Sequence, residues 1–195
     1  MILPSSLIKK ALYYAAEKHD GQYRKGTKVP FIVHPVLVAF TICRYTHNED
    51  TIIAAILHDI IEDCDISITE LTNLYNQKVS NMVEELSLPK SKKLEKNVWR
   101  KKKQEYISHI SKASKEALII VAVDKMVNME AYFNYAITGQ TKLLNKLFEG
   151  TLKDYFWYYE KVFQILELNI KNYPVTKDYK NTLQYYRGKL LTHQI

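Results

Sequence analysis

The stretch Thr51-Ile-Ile-Ala-Ala-Ile-Leu-His58-Asp59-Ile-Ile-Glu62-Asp63 decides how this chain is read. Its apolar residues lie on every side of a helix axis, the pattern of a helix buried in a core. Four ionisable groups nevertheless occupy its C-terminal half. His58 and Glu62 are i,i+4 neighbours and share a face, and Asp59 and Asp63 repeat that pairing further round the helix. Burying an imidazole and three carboxylates without partners costs on the order of several kcal/mol. A divalent cation is the simplest compensation. His58 and Asp59 can both reach one ion, with Glu62 and Asp63 one turn on as acid/base candidates beside the attacking water. A solvated helix end with one capping aspartate is the plainer alternative, but it does not account for four such residues in an otherwise apolar helix.

Two further positions complete a donor set. His34 closes the apolar segment Val29–Val33 and precedes Pro35; taken alone, it reads as a core or capping histidine. Asp124 follows Ala117-Leu-Ile-Ile-Val-Ala-Val, so it lies deep in a helix that should be buried. Lys125 is adjacent and Asn128 stands at i+4, so a simple ion pair is the competing account of Asp124. His34, His58, Asp59 and Asp124 together make a site of two imidazoles and two carboxylates. Such N and O ligands suit Mn²⁺, Fe²⁺ or Zn²⁺ better than Ca²⁺.

The remainder of the chain predicts an all-α protein. Among 195 residues there are 5 Gly and 5 Pro, where average usage would give about two dozen. That shortage excludes collagen-like, linker-like and turn-rich β architectures. Start and stop signals predict helices over about 6–20, 34–46, 50–62, 77–88 and 117–133, one that follows the charge-rich stretch 90–103 and runs to about 111, a short one capped by Ser67 with Glu70 as a capping box, and two more over about 152–172 and 178–192. The expected architecture is one helical bundle of nine or ten helices over 1–195. Two of the five Gly and two of the five Pro fall within 21–35, the one loop dense in cations.

Cys43 and Cys64 make no disulfide framework or metal motif, which suits a cytoplasmic setting. No apolar run approaches the ~20 residues of a membrane span. The net charge of +7 favours a polyanionic partner. Much of it comes from the basic stretch 90–103, which reads most simply as a solvated face.

The motifs Ala15-Ala16-x-Lys18-His19-x-Gly21-Gln22-x-Arg24-Lys25, Pro30-Phe31-Ile32-x-His34-Pro35, Ala54-Ala55-x-Leu57-His58-Asp59-x-x-Glu62-Asp63 and Asp124-Lys125-x-x-Asn128, in that order, resemble the HD-domain phosphohydrolases. The Gly-Gln-x-Arg-Lys element and the Glu-Asp pair narrow the resemblance to the (p)ppGpp hydrolase domain of the RelA/SpoT type, in its stand-alone small form, like the metazoan SpoT homologues. It covers about residues 8–165. It implies a 3′-pyrophosphohydrolase acting on guanosine 3′,5′-bis(diphosphate), a small-molecule nucleotide, with no membrane or nucleic-acid partner. It also implies one Mn²⁺ on His34, His58, Asp59 and Asp124, with Glu62 and Asp63 activating water. Arg24 would meet the purine, Lys25 the phosphates, Asn128 the ribose–phosphate region, and Tyr155 the pocket wall. The sequence departs from the family pattern at Phe31, Cys64, Val127 and Thr151. The last two keep open (p)ppApp or the 2′-phosphate of NADPH as substrate. A non-catalytic nucleotide-binding or antitoxin-like protein is the alternative from another class.

Overall fold

The structure, a computed structural model, describes residues 4–88 and 99–192. These residues form eleven helices: α1 (Ser6–Lys18), α2 (Val33–Ile42), α3 (Glu49–Leu57), α4 (Ile60–Cys64), α5 (Ile68–Leu74), α6 (Gln77–Leu86), α7 (Trp99–Ile110), α8 (Lys115–Ile137), α9 (Thr141–Leu147), α10 (Leu152–Ile170) and α11 (Pro174–Thr192). The architecture is all-α, with one isolated bridge between Tyr23 and Pro30 among the described residues. Helix starts follow side-chain chemistry. Ser5, Asn48, Ser67, Asn76, Ser114 and Thr151 each accept a backbone amide at the head of their helix, a contact contributing about 1 kcal/mol apiece.

Helix α8 is the axis of the bundle and packs against α2, α3, α6, α9, α10 and α11. Its residues 117–124 are buried without a break, as an all-round apolar helix requires. Ile53 through Leu57 of α3 are buried in the same core, each large side chain contributing roughly 1.5–3 kcal/mol. The contacts α2–α3, α2–α8 and α3–α8 place the start of α2, the end of α3 and the middle of α8 at one point, where the candidate site lies.

Several expectations are corrected. The helix expected over 50–62 is two, broken at His58–Asp59. His58 donates from Nδ1 to the Ala55 carbonyl at 2.8 Å. That is the acceptor an unbroken helix assigns to the amide of Asp59, and Asp59 departs to φ −95°, ψ −5°. Ser67 caps α5, but Glu70 does not close the box; its carboxylate accepts from the Tyr14 hydroxyl instead. The final helix starts at Pro174 rather than near 178, because proline lacks only an amide that a first-turn position leaves unpaired anyway. Helix α8 runs on to Ile137, and α9 adds an unpredicted element. Of the basic stretch at 90–103, residues up to 98 lie outside the described residues.

Candidate functional site

His34 comes from the first turn of α2, His58 from the end of α3, Asp59 from the break and Asp124 from the middle of α8. His34 Nε2 lies 3.1 Å from Asp124 Oδ1 and 3.5 Å from Asp59 Oδ2. His58 Nε2 lies 3.1 Å from Asp59 Oδ2 and 3.8 Å from Asp124 Oδ1. The two imidazoles meet edge to face, with centroids 5.2 Å apart. His34, His58 and Asp124 are nearly inaccessible, and the Asp59 side chain is a quarter exposed.

The donor chemistry fits a cation. Because the Ala55 carbonyl can only accept, His58 keeps a hydrogen on Nδ1, so Nε2 is the ring atom that faces the carboxylates and can exchange a proton for a metal ion. That Nε2 is buried without a hydrogen-bond partner. The Nε2 atoms of both rings and the two carboxylates thus converge on one point, a donor set that suits a cation. His34, His58 and Asp59 offer ligand atoms all within 4.8 Å of one another. The electrostatics agree. Burial opposes charge on His58, but Asp59 and Asp124 outweigh it and push the ring up to about 9. His34 is lowered by its own burial, against the pull of Asp124. Burial alone would raise Asp124; Lys125 beside it and the two imidazoles instead hold it well below the usual carboxylate range.

A cavity of about 810 Å³ opens beside this cluster, lined by cations, amides and aromatic rings. Arg24 reaches across it, donating to Asn128 Oδ1 at 3.2 Å while its guanidinium lies 5.6 Å from the Phe31 centroid. Lys25 sits over Phe148. Tyr155 lines the wall, stacked on Tyr132 at 3.7 Å and beside Trp99. Asp63 lines the cavity too, its carboxyl pushed up to about 6 by partial burial and by the charges of Asp59 and Glu62. Glu62 is not among the lining residues; its Oε1 accepts from the Leu88 amide at 2.7 Å.

Two cations of the basic stretch that fall on α7, Arg100 and Lys103, separate. Lys103 lines the cavity over the Tyr158 ring, and burial together with Lys125 lowers it to about 8. Arg100 instead pairs with Asp154 at 3.1 Å and covers Trp157. Lys125, read in the sequence only as an ion-pair partner of Asp124, lines the cavity, and Tyr132, Tyr158 and Phe148 line it without having been singled out. For Tyr132 and Tyr158 the signal was the i,i+3 aromatic spacing with Tyr135 on α8 and Tyr155 on α10, which reads equally as core. Thr151 is the N-cap of α10 and forms a capping box with Asp154. Val127 faces a second cavity, with Arg44 and Tyr185. Neither departure touches the larger cavity. Among the described residues, no helix is long and apolar enough to cross a membrane.

Comparison with known proteins follows the same outline. The chain is 32% identical over 142 residues to the Drosophila melanogaster guanosine-3′,5′-bis(diphosphate) 3′-pyrophosphohydrolase MESH1, covering 71% of this chain and 76% of that protein. It is 40% identical over 77 residues to the Aquifex aeolicus guanosine-3′,5′-bis(diphosphate) 3′-pyrophosphohydrolase, but spans only 11% of that protein's length. A solved structure of a metazoan SpoT ortholog that hydrolyzes ppGpp superposes with a TM-score of 0.72 at 24% identity, over 97% of this chain and 100% of that one. The family model described as HD domain matches residues 11–147. Because that match runs from within α1 to the end of α9 and takes in each of the four converging donors, the chain belongs to the HD-domain family.

Proposed function

We propose that this chain is a Mn²⁺-dependent hydrolase that removes the 3′-pyrophosphate from guanosine 3′,5′-bis(diphosphate) and its 5′-triphosphate analogue. The observation that supports this most is the juxtaposition of two kinds of chemistry. His34, His58, Asp59 and Asp124 converge at one point, and the cavity beside them carries Arg24, Lys25, Lys103 and Lys125. A dense polyanion with a planar base suits such a cavity, since a guanidinium can stack on a purine while ammonium groups meet phosphates. The likeness to the Drosophila protein over most of both chains supports the same substrate class.

His34, His58, Asp59 and Asp124 would hold the cation. When bound, it supplies Lewis-acid stabilisation of charge on the phosphoryl group and acidifies water. The protein's own residues do the rest. Lys25 and Lys103 neutralise the phosphates, and Asn128 sits where the ribose–phosphate region would reach. Asp63, poised near neutral pH, accepts the proton of the attacking water. The water oxygen bonds to the phosphorus attached to O3′, the O3′–P bond breaks, and the ribose oxygen takes up a proton. The products are pyrophosphate and GDP or GTP. Glu62 would assist from the adjacent position, which requires it to leave the Leu88 amide.

The test is purified protein with ppGpp and Mn²⁺, beside Asp63→Asn and Glu62→Gln, with GDP and pyrophosphate measured. Parallel reactions contain (p)ppApp and NADPH. Metal-dependent release of GDP that both variants abolish is the expected result. Binding of Mn²⁺ without release of pyrophosphate from ppGpp would overturn the substrate assignment.

A further inference from the structure

The sequence motif that includes His19 and Gln22 is only partly used by the site above: Arg24 and Lys25 bring charge to the cavity, while Gln22 lines its wall without an assigned role and His19 is not among its lining residues. The structure gives these two side chains a specific set of contacts. Helix α4 has five residues and ends at Asp65, which adopts φ 60°. The last carbonyls of any helix lack an internal partner. Gln22, 41 residues earlier in the chain, donates from Nε2 to the Asp63 carbonyl at 3.1 Å. Its Oε1 lies 2.8 Å from His19 Nδ1. An amide oxygen only accepts, so His19 donates, and that bond fixes which end of the carboxamide faces Asp63.

His19 is itself held. It is 3% exposed, closes α1, and packs against the Phe31 ring at 4.8 Å and the Cys64 thiol at 3.3 Å. The backbone of Gln22 is anchored independently: its amide donates to the His19 carbonyl and its carbonyl accepts from Phe31. The Gln22 side chain is therefore a strut between two otherwise separately held pieces. One is the loop that carries Arg24 and Lys25, and the other is the turn that carries Asp63.

The geometry points to His19 and Gln22 as positioning residues for the hydrolysis, holding the end of α4 so that the Asp63 carboxylate faces the cavity at a set distance from the basic loop. This rests on the proposed activity for its catalytic consequence, but the contacts themselves do not depend on the substrate. A misplacement on the order of 1 Å of a group that moves a proton lowers turnover about 100-fold. Gln22 lines the cavity wall, but its side-chain hydrogen bonds go to His19 and the end of α4, not to the four converging donors or to a cation of the cavity. Their loss should therefore act on kcat and leave KM and Mn²⁺ affinity in place.

Three variants test this, each assayed per folded protein. Gln22→Met keeps the length and removes both bonds. His19→Ala removes the brace on Gln22. His19→Asn places an amide nitrogen where Nδ1 stands and keeps the donor. Gln22→Met and His19→Ala should lower kcat for ppGpp by about 10–100-fold with KM unchanged, and His19→Asn should recover most of the loss. A merely structural role would lower Tm and the folded fraction but leave kcat per folded molecule intact, and that result overturns the proposal. Amide hydrogen exchange gives a readout that needs no turnover. In Gln22→Met, exchange at Asp63, Cys64 and Asp65 should quicken while that of α3 is unchanged; unaltered exchange there also overturns it. If the wild-type protein does not hydrolyse ppGpp, the substrate reading fails, and the exchange experiment alone decides whether the strut exists.

Discussion

Asn128 donates from Nδ2 to Asp124 at 2.5 Å, and the oxygen it touches, Oδ1, is the one that faces His34 Nε2 at 3.1 Å. The other end of the same carboxamide accepts from Arg24. A single side chain on α8 thus joins the converging donors to the cationic wall of the cavity. Residues that orient metal ligands from behind typically cost 10–100-fold in affinity or activity when removed. Asn128→Ala should accordingly weaken Mn²⁺ binding or turnover by about 10–100-fold, measured by calorimetric titration and by steady-state kinetics. Wild-type values for both would show that Asp124 needs no such support.

Chelation should be visible as a loss of stability. A ligand present at about 100 times its Kd stabilises the folded state by about 2.7 kcal/mol. For a chain of this length that corresponds to roughly 5–10 °C in Tm. Addition of a chelator should remove the shift, and Asp124→Ala should abolish it. An equal shift in Asp124→Ala would place the ion elsewhere.

Metal binding should release protons. Asp59 and Asp124 outweigh burial at His58 and push its pKa up to about 9, so the ring is protonated in metal-free protein at about pH 7.5. A cation needs the lone pair, so binding expels about one proton. His34 is lowered and contributes none. Calorimetry in buffers of different ionisation enthalpy reads the number. Apparent affinity should fall as pH falls, and zero release would contradict the assigned protonation.

The pH profile of hydrolysis should have two limbs. Asp63 is pushed up to about 6 and acts in its ionised form, so kcat/KM rises with pH through that value. Lys103 is lowered to about 8 and acts as a cation, so KM rises above that value as the charge is lost. Lys103→Arg should extend the alkaline limb, because guanidinium stays charged. An alkaline limb unchanged by that substitution would assign it to another group.

Stability should track burial rather than hydrophobicity. Ile120 of α8 is 0% exposed, and Ile120→Ala should cost about 2–5 kcal/mol in urea unfolding. Phe40 on α2 is 79% exposed, and Phe40→Ser should change stability by no more than about 0.5 kcal/mol.

Some parts of this molecule were legible one segment at a time. The apolar run before Asp124 reads as buried because no face of it is polar, and 117–124 is buried throughout. Ser67 caps its helix because its short side chain reaches the amide three residues on, while the cap at Thr151 was not read from the sequence. His58, Asp59 and Asp124 stood out because ionisable groups in an apolar context demand a partner. The break at His58–Asp59 was not legible: it depends on which nitrogen of one ring takes the Ala55 carbonyl. Nor was the separation of Lys103 from Arg100 three residues earlier, since both are long cations on the same helix. They part only because Asp154 and Trp157 lie beside one and the cavity beside the other.

The sequence by itself determined the all-α class, most of the helices and the chemical identity of the candidate site, because propensity, capping and burial patterns act within a few residues of the chain. Only the tertiary structure decided which of those groups meet. The packing of α2, α3 and α8 brings four donors together from positions up to 90 residues apart, 34 to 124. It turns Asp63 into the cavity while Glu62 is held by Leu88, and it sets Gln22 against the end of α4. Hydrogen bonds and charge interactions act over a few ångströms of space, and sequence separation does not specify that distance until the core has packed.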